Sequence, residues 1–466
     1  MDEPVGCPEC RRLQARVAEL EAMVRDLAAQ VKDLSARLRG GEPPPRPPAG
    51  LPAAPAKKPT GRKPGGRPGH PPHLKRRLAP GFVTHTVRHV PTTCECCRAA
   101  LPKAAGPDDP EPTWHQVVEL PPVLAEVTEH QGHARTCTCC GHVTRAAVPA
   151  DIRAHSVGPR LTGVIGYLTG DQGLSKRGVE EVCEHVFGVP VGLGTVSNLE
   201  QEVSAALAGA HAEATAAVRD APVKHVDETG WKQAGKKRWL WVGATKLVAA
   251  FVVHPWRNRA ALEALLGRAF TGILCSDRWV VYREWPDPYA RQLCWAHLKR
   301  NWEALVERGG SAKRIGERFL AIHKRVFDLW HLFRGGGYTR ADLSERILPL
   351  VDEFGAALAA GLRCRDARTR RYCARLEADQ FGLWTFVEAD GVEPTNNHAE
   401  RVLRRAVLWR RRSFGCHSAG GCRFAERLLT VATSLRLQGR NVVTFLGESI
   451  AAYRAGQPGP KLVPVG

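Results

Sequence analysis

A chain of 466 residues with a formal charge of +20 is long enough for two to four domains, and its charge suits a polyanionic partner. Its longest apolar runs, such as Leu247 to Val253, are far too short to cross a bilayer, which argues against a membrane protein. Fifteen cysteines in a chain that opens acidic and polar, without a secretory leader, point to metal binding in the cytoplasm rather than to disulfides.

From Leu13 the apolar positions are Leu13, Val17, Leu20, Val24, Leu27, Val31, Leu34 and Leu38, alternating steps of four and three. Valine at most a positions and leucine at d positions favour a parallel two-stranded coil, so residues 1–40 are expected to be a leucine-zipper-like dimerisation helix. Cys7 and Cys10 precede it. Two thiolates cannot close a tetrahedral site alone; the pair either meets its copy in a dimer or stays idle. Residues 41–83 form a basic, Pro/Gly-rich linker, with ten Lys and Arg and no acid between Glu42 and Glu95. Such a segment cannot bury a core, and its cations are expected on phosphates, with GRPGH faintly resembling minor-groove arms.

Residues 84–150 carry Cys94-x-x-Cys97 and Cys137-x-x-Cys140 around a β-like stretch, Thr113 to His130. Paired CxxC turns predict one zinc ion held by Cys94, Cys97, Cys137 and Cys140 in a zinc ribbon or knuckle. Cys96, Cys139 and His142 compete as ligands. Residues 155–215 turn helical. Ser175 to Phe187, a glycine-bearing turn, and a second helix opened by Thr195 have the outline of a helix-turn-helix.

In residues 220–423 the pattern runs strand through Asp227, strand RWLWVGAT, strand KLVAAFVV, helix, then strand ILCSD through Asp277 and another at Ala290 to Cys294. That is the ribonuclease-H-like order, in which acids on the first and fourth strands lie side by side. Eight of the twelve tryptophans fall between Trp231 and Trp302, marking a packed core. An arginine-rich helical insertion follows at about 299–378, and a helix then opens with Glu400. Residues 424–466 read as a C-terminal helical region and tail. Strand alternation turns Asp227 and Glu228 to opposite faces. Three acids converging from two strand ends and a helix suit hard cations such as Mg²⁺, two of which serve phosphoryl transfer. Glu400 also has a plainer reading, since Asn397-x-x-Glu400 has the form of a capping box.

VDET, SDRW, CWAHLKRN, PTNNHAER and RRRSFGC, in this order behind the zipper, the CxxC pairs and the helix-turn-helix, closely resemble the insertion sequence 66 family of transposases, within the DDE superfamily. The resemblance implies an α/β multidomain protein, with a ribonuclease-H-like core interrupted by a helical insertion. It implies catalytic metal ligands Asp227, Asp277 and Glu400, holding two Mg²⁺ (or Mn²⁺) beside the separate Zn²⁺. Cys294-x-x-His297 matches an element found after the second Asp in some DDE families and is expected, with Asn397, to support or pack the site. Arg401, Arg404, Arg405, Arg410, Arg411 and Arg412 would grip phosphates beside the ions.

The implied partner is double-stranded DNA, both element ends and target. A homodimer or higher assembly is expected, with possible accessory transposition proteins and a nucleoid-associated location. The reaction would free a 3′-OH at an element end and transfer it to a target phosphodiester. Two alternatives stand beside it: a non-catalytic zinc and helix-turn-helix regulator derived from a transposase, and a nuclease of the same fold that only cuts. Loss of one acid would favour the first, and all three acids are present.

Overall fold

The computed structural model describes residues 77–464 apart from 105, 108 and 124. The predicted zipper, the Cys7/Cys10 pair and most of the basic linker lie outside the described residues. The chain divides into two compact units at Val118 and Glu119.

In the first unit Gln116 clasps Leu78, its Oε1 accepting from Leu78 N at 2.8 Å and its Nε2 donating to Leu78 O at 3.2 Å. The Cys94 turn closes through Arg98 N to Cys94 O at 3.0 Å and Cys94 N to Ala99 O at 2.9 Å. The second unit begins with a matching turn, Gly141 N to Cys137 O at 2.9 Å and Cys137 N to His142 O at 2.8 Å, inside the hairpin of β1 (Ala134–Thr136) and β2 (Val143–Arg145). Arg98 and Gly141 fill the same left-handed position, with φ 64° and 71°. The β-like stretch expected at 113–130 forms no strand among its described residues. Val117 and Val118 in the first unit, and Leu120 and Val127 in the second, stay exposed. Alternation makes a strand only where a partner and a buried face exist.

Helices α1 (Ala150–Arg153), α2 (Pro159–Gly166), α3 (Lys176–Phe187), α4 (Leu193–Ala206) and α5 (Ala208–Asp220) follow. Ser175 caps α3 by accepting from Gly178 N at 3.0 Å, and Gly188 ends it in the left-handed conformation. The next helix starts at Leu193 after Gly192, two residues before the expected Thr195 cap. Starting there directs Val196 and Leu199 onto Val179, Cys183 and Val191 in a small apolar cluster. A single wide turn, Tyr167–Asp171, joins this cluster to the rest of the unit. Its buried Asp171 accepts from Arg405 at 3.2 Å and also from Arg436.

The centre is a five-stranded sheet ordered β5-β4-β3-β6-β7: β3 (Val223–Gln233), β4 (Lys236–Ala244), β5 (Ala249–His254), β6 (Ile273–Ser276) and β7 (Arg291–Leu293). β3, β4 and β5 form an antiparallel meander, while β6 and β7 run parallel to β3. Helix α6 (Arg259–Leu266), capped by Asn258, connects β5 to β6 and packs with α5 on one face, against Val226, Trp241 and Leu274. On the other face α12 (Asn397–Ser413) buries Ala399, Val402, Leu403 and Ala406 against Trp231, Leu240 and Val242.

Edge strand β5 would leave amides unpaired, an invitation to pairing with another chain. Helix α13 (Ala419–Leu437) covers it with a polar stripe at i, i+4 and i+8. Glu426, Thr430 and Ser434 accept from the amides of Val253, Phe251 and Ala249 at 2.6, 2.9 and 3.0 Å. Helices α13 and α14 (Val442–Arg454) therefore share the core rather than trail from it.

Between β7 and α12 lies the helical block α7 (Trp295–Arg308), α8 (Gly310–Arg334), α9 (Arg340–Leu362), α10 (Ala367–Glu377) and α11 (Thr385–Glu388). It opens at Trp295, earlier than the expected 299, and has its own aromatic core of Trp295, Trp302, Phe319 and Phe354. Among the described residues no helix is long and apolar enough to cross a membrane.

Candidate active site

The parallel register pairs His225 with Cys275, so Asp227 and Asp277 stand level, two residues further along their chains. Along β3 the odd positions face α12: His225 bonds Asn396, and Trp231 packs on Ala399 and Ala406. Asp227 shares that face. Its Oδ1 accepts from Glu228 N at 2.9 Å. Burial drives its carboxyl pKa well above the ordinary range, and the charges of Glu228, Asp277 and Glu400 push the same way.

Glu228 turns to the opposite face, as alternation requires. Its buried carboxylate is held by Arg257 and by the Tyr282 hydroxyl. Burial and the nearby Asp277 raise its pKa despite the guanidinium. Since Tyr282 lies five residues past Asp277, this contact pins the loop that carries the second acid to the strand that carries the first. On that loop, Trp279 N donates to Asp277 Oδ1 at 2.8 Å.

Glu400 arrives through two motifs that lock together. Trp295 and Leu298 of CWAHLKRN, with Trp302 just after it, fall at i, i+3 and i+7 and are fully buried. On another face His297 and Arg300 reach Glu400: His297 Nδ1 and Arg300 Nη2 each lie 3.6 Å from its Oε1. Burial lowers the His297 pKa, with Arg300 adding to the effect, so the imidazole is neutral and its closeness to Glu400 is not an ion pair. Trp295 N donates to Pro394 O at 2.9 Å, and Asn396 N donates to Cys294 Sγ at 3.2 Å. The buried Cys294 thiol is pushed up to about 11 and acts as an uncharged acceptor.

The expected capping box is absent. The N-cap of α12 is Asn396, not Asn397, and its side chain caps nothing. Instead Asn396 Nδ2 donates to Val226 O at 2.8 Å and its Oδ1 lies 3.1 Å from His225 Nδ1, which fastens the helix start to β3. Its neighbour His398 places Nε2 2.7 Å from Thr245 O. Asn397 is the first helical residue, which puts Glu400 at the fourth helical position, one beyond a capping partner. Glu400 Oε1 and His297 Nδ1 are left as buried atoms without a hydrogen-bond partner. The Glu400 charge reaches Asp227, but among the described residues the three acids do not bring their oxygens within 4.8 Å of one another. Cys294, His297 and Glu400 place one ligand atom each within 4.8 Å of one another, a set that suits zinc better than magnesium.

The six arginines after Glu400 divide. Arg405 pairs with Asp171, Arg412 Nη1 donates to Gln172 O at 2.9 Å, and Arg410 donates to Thr229 Oγ1 at 2.8 Å and to Gly230 O. Half of the predicted phosphate grip is therefore employed inside the protein, while Arg401, Arg404 and Arg411 stay exposed and free of an ion pair among the described residues. RRRSFGC then returns along β3, Cys416 N donating to Lys232 O at 2.9 Å. Gly415 takes φ 106° there, and a Cβ would run into the Lys232 carbonyl.

Sequence reasoning missed Asn396, His225, Arg257, Tyr282 and Arg300. Only the doubled Asn of PTNNHAER carried a signal, and it suggested the wrong Asn. The zinc candidates lie in their two matching turns. Cys97, Cys137 and Cys140 are exposed and Cys94 is half-buried, all as free thiols. In each turn amides aimed at the first sulfur, chiefly those of Cys97 and Cys140, lower the pKa of Cys94 and Cys137.

The chain is 33% identical over 120 residues to the catalytic subunit of dihydroorotate dehydrogenase B (NAD(+)) from Solidesulfovibrio magneticus, covering 24% of this chain. It spans only 36% of that relative's length, and that enzyme's activity does not carry over. The model of the transposase IS66 family matches residues 155–423, which takes in every strand of the central sheet, both strand acids and the helix of Glu400. With more than half of its length in that match, the chain belongs to the IS66 family of transposases.

Proposed function

We propose that the chain is a DNA transposase that binds element ends, cuts phosphodiester bonds and joins the freed 3′-OH to target DNA. The observation that carries the reading is the level pair Asp227 and Asp277 beside Glu400, whose buried oxygen has no partner in the protein. The meander β3-β4-β5 with β6 and β7 added in parallel supports a ribonuclease-H-like core. Asp227, Asp277 and Glu400 would hold two Mg²⁺ or Mn²⁺. Bound there, the ions would supply charge stabilisation at the attacking and leaving oxygens.

The chain's own residues set the geometry. Asn396 and the Trp295–Pro394 contact fix the start of α12, and with it Glu400, against β3. Glu228 with Tyr282 fixes the loop of Asp277. His297 and Arg300, each 3.6 Å from Glu400 Oε1, flank the carboxylate and fix where it sits. Arg401, Arg404 and Arg411 are the cations free to meet phosphate. Helices α3 and α4, joined by the short turn Gly188–Gly192, support a helix-turn-helix reader. A dimer or larger assembly on DNA, and accessory proteins, belong to the same proposal.

The test uses labelled element ends with flanking DNA and a target plasmid, in Mg²⁺ or Mn²⁺. Cut ends bearing 3′-OH and joined plasmid products are expected. Cutting without joining would make the protein a nuclease, and neither product would retire the reading in favour of a regulator. Zinc is proposed separately for the two CxxC turns. Purified protein is expected to carry one equivalent of zinc bound by Cys94, Cys97, Cys137 and Cys140. Metal analysis checks this: zinc-free protein, or a Cys137→Ser variant with unchanged content, would overturn it.

A further inference from the structure

An arginine-lined basin of about 1090 Å³ opens beside the acids, between the loop that follows Asp277 and helix α10. Arg278 and Arg283 form its floor and Arg368, Arg371 and Arg375 its far wall. The three wall residues are spaced three and four apart, on one exposed face of α10, and among the described residues none pairs with a carboxylate. Like charges at this spacing work against a helix. Nothing in the fold of α10 needs them: its buried side is Thr369, Cys373 and Leu376, and its cap is Asp366.

The floor is held ready in advance. Buried Asp379 accepts from Arg278 Nε at 3.1 Å and from Arg283 Nη2 at 2.8 Å, and Arg291 Nη1 lies 3.9 Å away. Nε and Nη2 of Arg291 are buried without partners. Three guanidiniums thus share one carboxylate, and three more line the basin without an ion pair, an excess that fits a polyanion. The basin also adjoins the acids through the chain itself. Arg278 and Trp279 directly follow Asp277, and Asn301 on its rim follows Arg300, which reaches Glu400.

We propose that this basin holds the phosphodiester backbone of one DNA strand running away from the cleavage site. The volume is that of a ligand pocket, on the order of 300–1,000 Å³. A single strand, free of a paired partner, can lay its phosphates along these arginines, as in grooves that track a single-stranded backbone. The assignment rests on the transposase reading, and it gives the helical insertion a role in separating and steering the strand at the cut.

The experiment measures binding of the full-length chain, in EDTA, to labelled forked DNA and to a blunt duplex of the same sequence, from 50 to 200 mM salt. Arg368→Gln/Arg371→Gln/Arg375→Gln is compared with wild type and with the charge-matched Arg314→Gln/Arg318→Gln/Arg346→Gln on α8 and α9. Gln keeps helix propensity, and circular dichroism checks the fold. Three lost phosphate contacts to a single strand should reduce the salt slope by about two, so across this range wild type loses about twentyfold more affinity for forked DNA than the variant. The control should follow wild type, and blunt duplex should not distinguish the proteins. If the triple variant fails to fold, Arg371→Gln alone should reduce the slope by about 0.7. An unchanged slope on forked DNA, or an equal loss on blunt duplex, overturns the proposal. Because no cleavage is read, a slope that falls in a protein without nuclease or joining activity sinks the transposase reading and leaves the basin standing.

Discussion

Asp227→Asn is expected to abolish cleavage in a protein that stays folded and still binds DNA. Asn is isosteric, and its side-chain oxygen can still accept from the Glu228 amide, so the local turn of β3 survives. What disappears is a carboxyl able to ionise on a cation, at the point where burial and three neighbouring acids already oppose its charge. The rate should fall by at least about a hundredfold, equivalent to roughly 2.7 kcal/mol of lost transition-state stabilisation. Stability should move the other way. A carboxyl whose folded pKa is raised contributes stability that is fully present below its unfolded pKa and is lost as pH rises through the folded one. At neutral pH, without metal, the buried Asp227 carboxyl therefore costs the fold stability, and the permanently neutral Asn should melt higher. Adding Mn²⁺ should raise the melting temperature of wild type and not that of the variant. Glu228→Gln is the contrast. It should retain a measurable rate and move stability little, because half-buried Arg257 loses its anion while burial no longer has a charge to oppose. Thermal melts and a cleavage assay on both variants decide the matter. An active Asp227→Asn with a dead, well-folded Glu228→Gln would reverse the roles of the two acids.

The order of strands, the level of the two aspartates and the helix ending at Phe187 were legible because each depends on local pattern: period-two alternation, a short apolar run ending in an acid, an amphipathic run closed by glycine. What stayed hidden depends on partners distant in sequence. Asn396 and Asn397 are indistinguishable until β3 lies beneath one of them and offers Val226 O. Glu426, Thr430 and Ser434 look like the polar face of a solvated helix, and only the bare edge of β5 gives them amides to accept from. Arg405, Arg410 and Arg412 share a run with Arg401, Arg404 and Arg411, yet meet acceptors of the protein itself because the helix rotates them toward Asp171, Gln172 and β3. The Thr113 to His130 stretch failed for the converse reason, a strand pattern with no strand to pair with.

Glu400→Gln is expected to give a folded, DNA-binding protein whose cleavage is reduced by about a hundredfold or more. The plainest objection, that Glu400 merely caps its helix, would have made Gln a nearly silent replacement. That objection falls with the position of the helix start: Asn396 opens α12, its backbone carbonyl accepts from Glu400 N at 3.3 Å, and no side chain caps the turn. What Glu400 does contribute to stability is its approach to Arg300, a partly exposed pair at 3.6 Å, worth about 0–1 kcal/mol. Its Oε1 has no hydrogen-bond partner to lose. The melting temperature should therefore stay close to that of wild type, while the loss of charge weakens the hold on a cation in this corner of the site. Cleavage rate as a function of Mn²⁺ concentration separates the cases. A reduced rate that high Mn²⁺ partly restores makes Glu400 a metal ligand. A normal rate at ordinary metal concentration would remove it from the site and move the search for the third acid to Glu393, Asp390 or Glu388. Of these, Asp390 points to solvent beside Arg340 and Glu388 is exposed, whereas Glu393 lies close enough to the sheet to raise the pKa of the Cys275 thiol. Glu393→Gln would then be the variant that loses activity, and an active Glu393→Gln beside an inactive Glu400→Gln fixes the assignment.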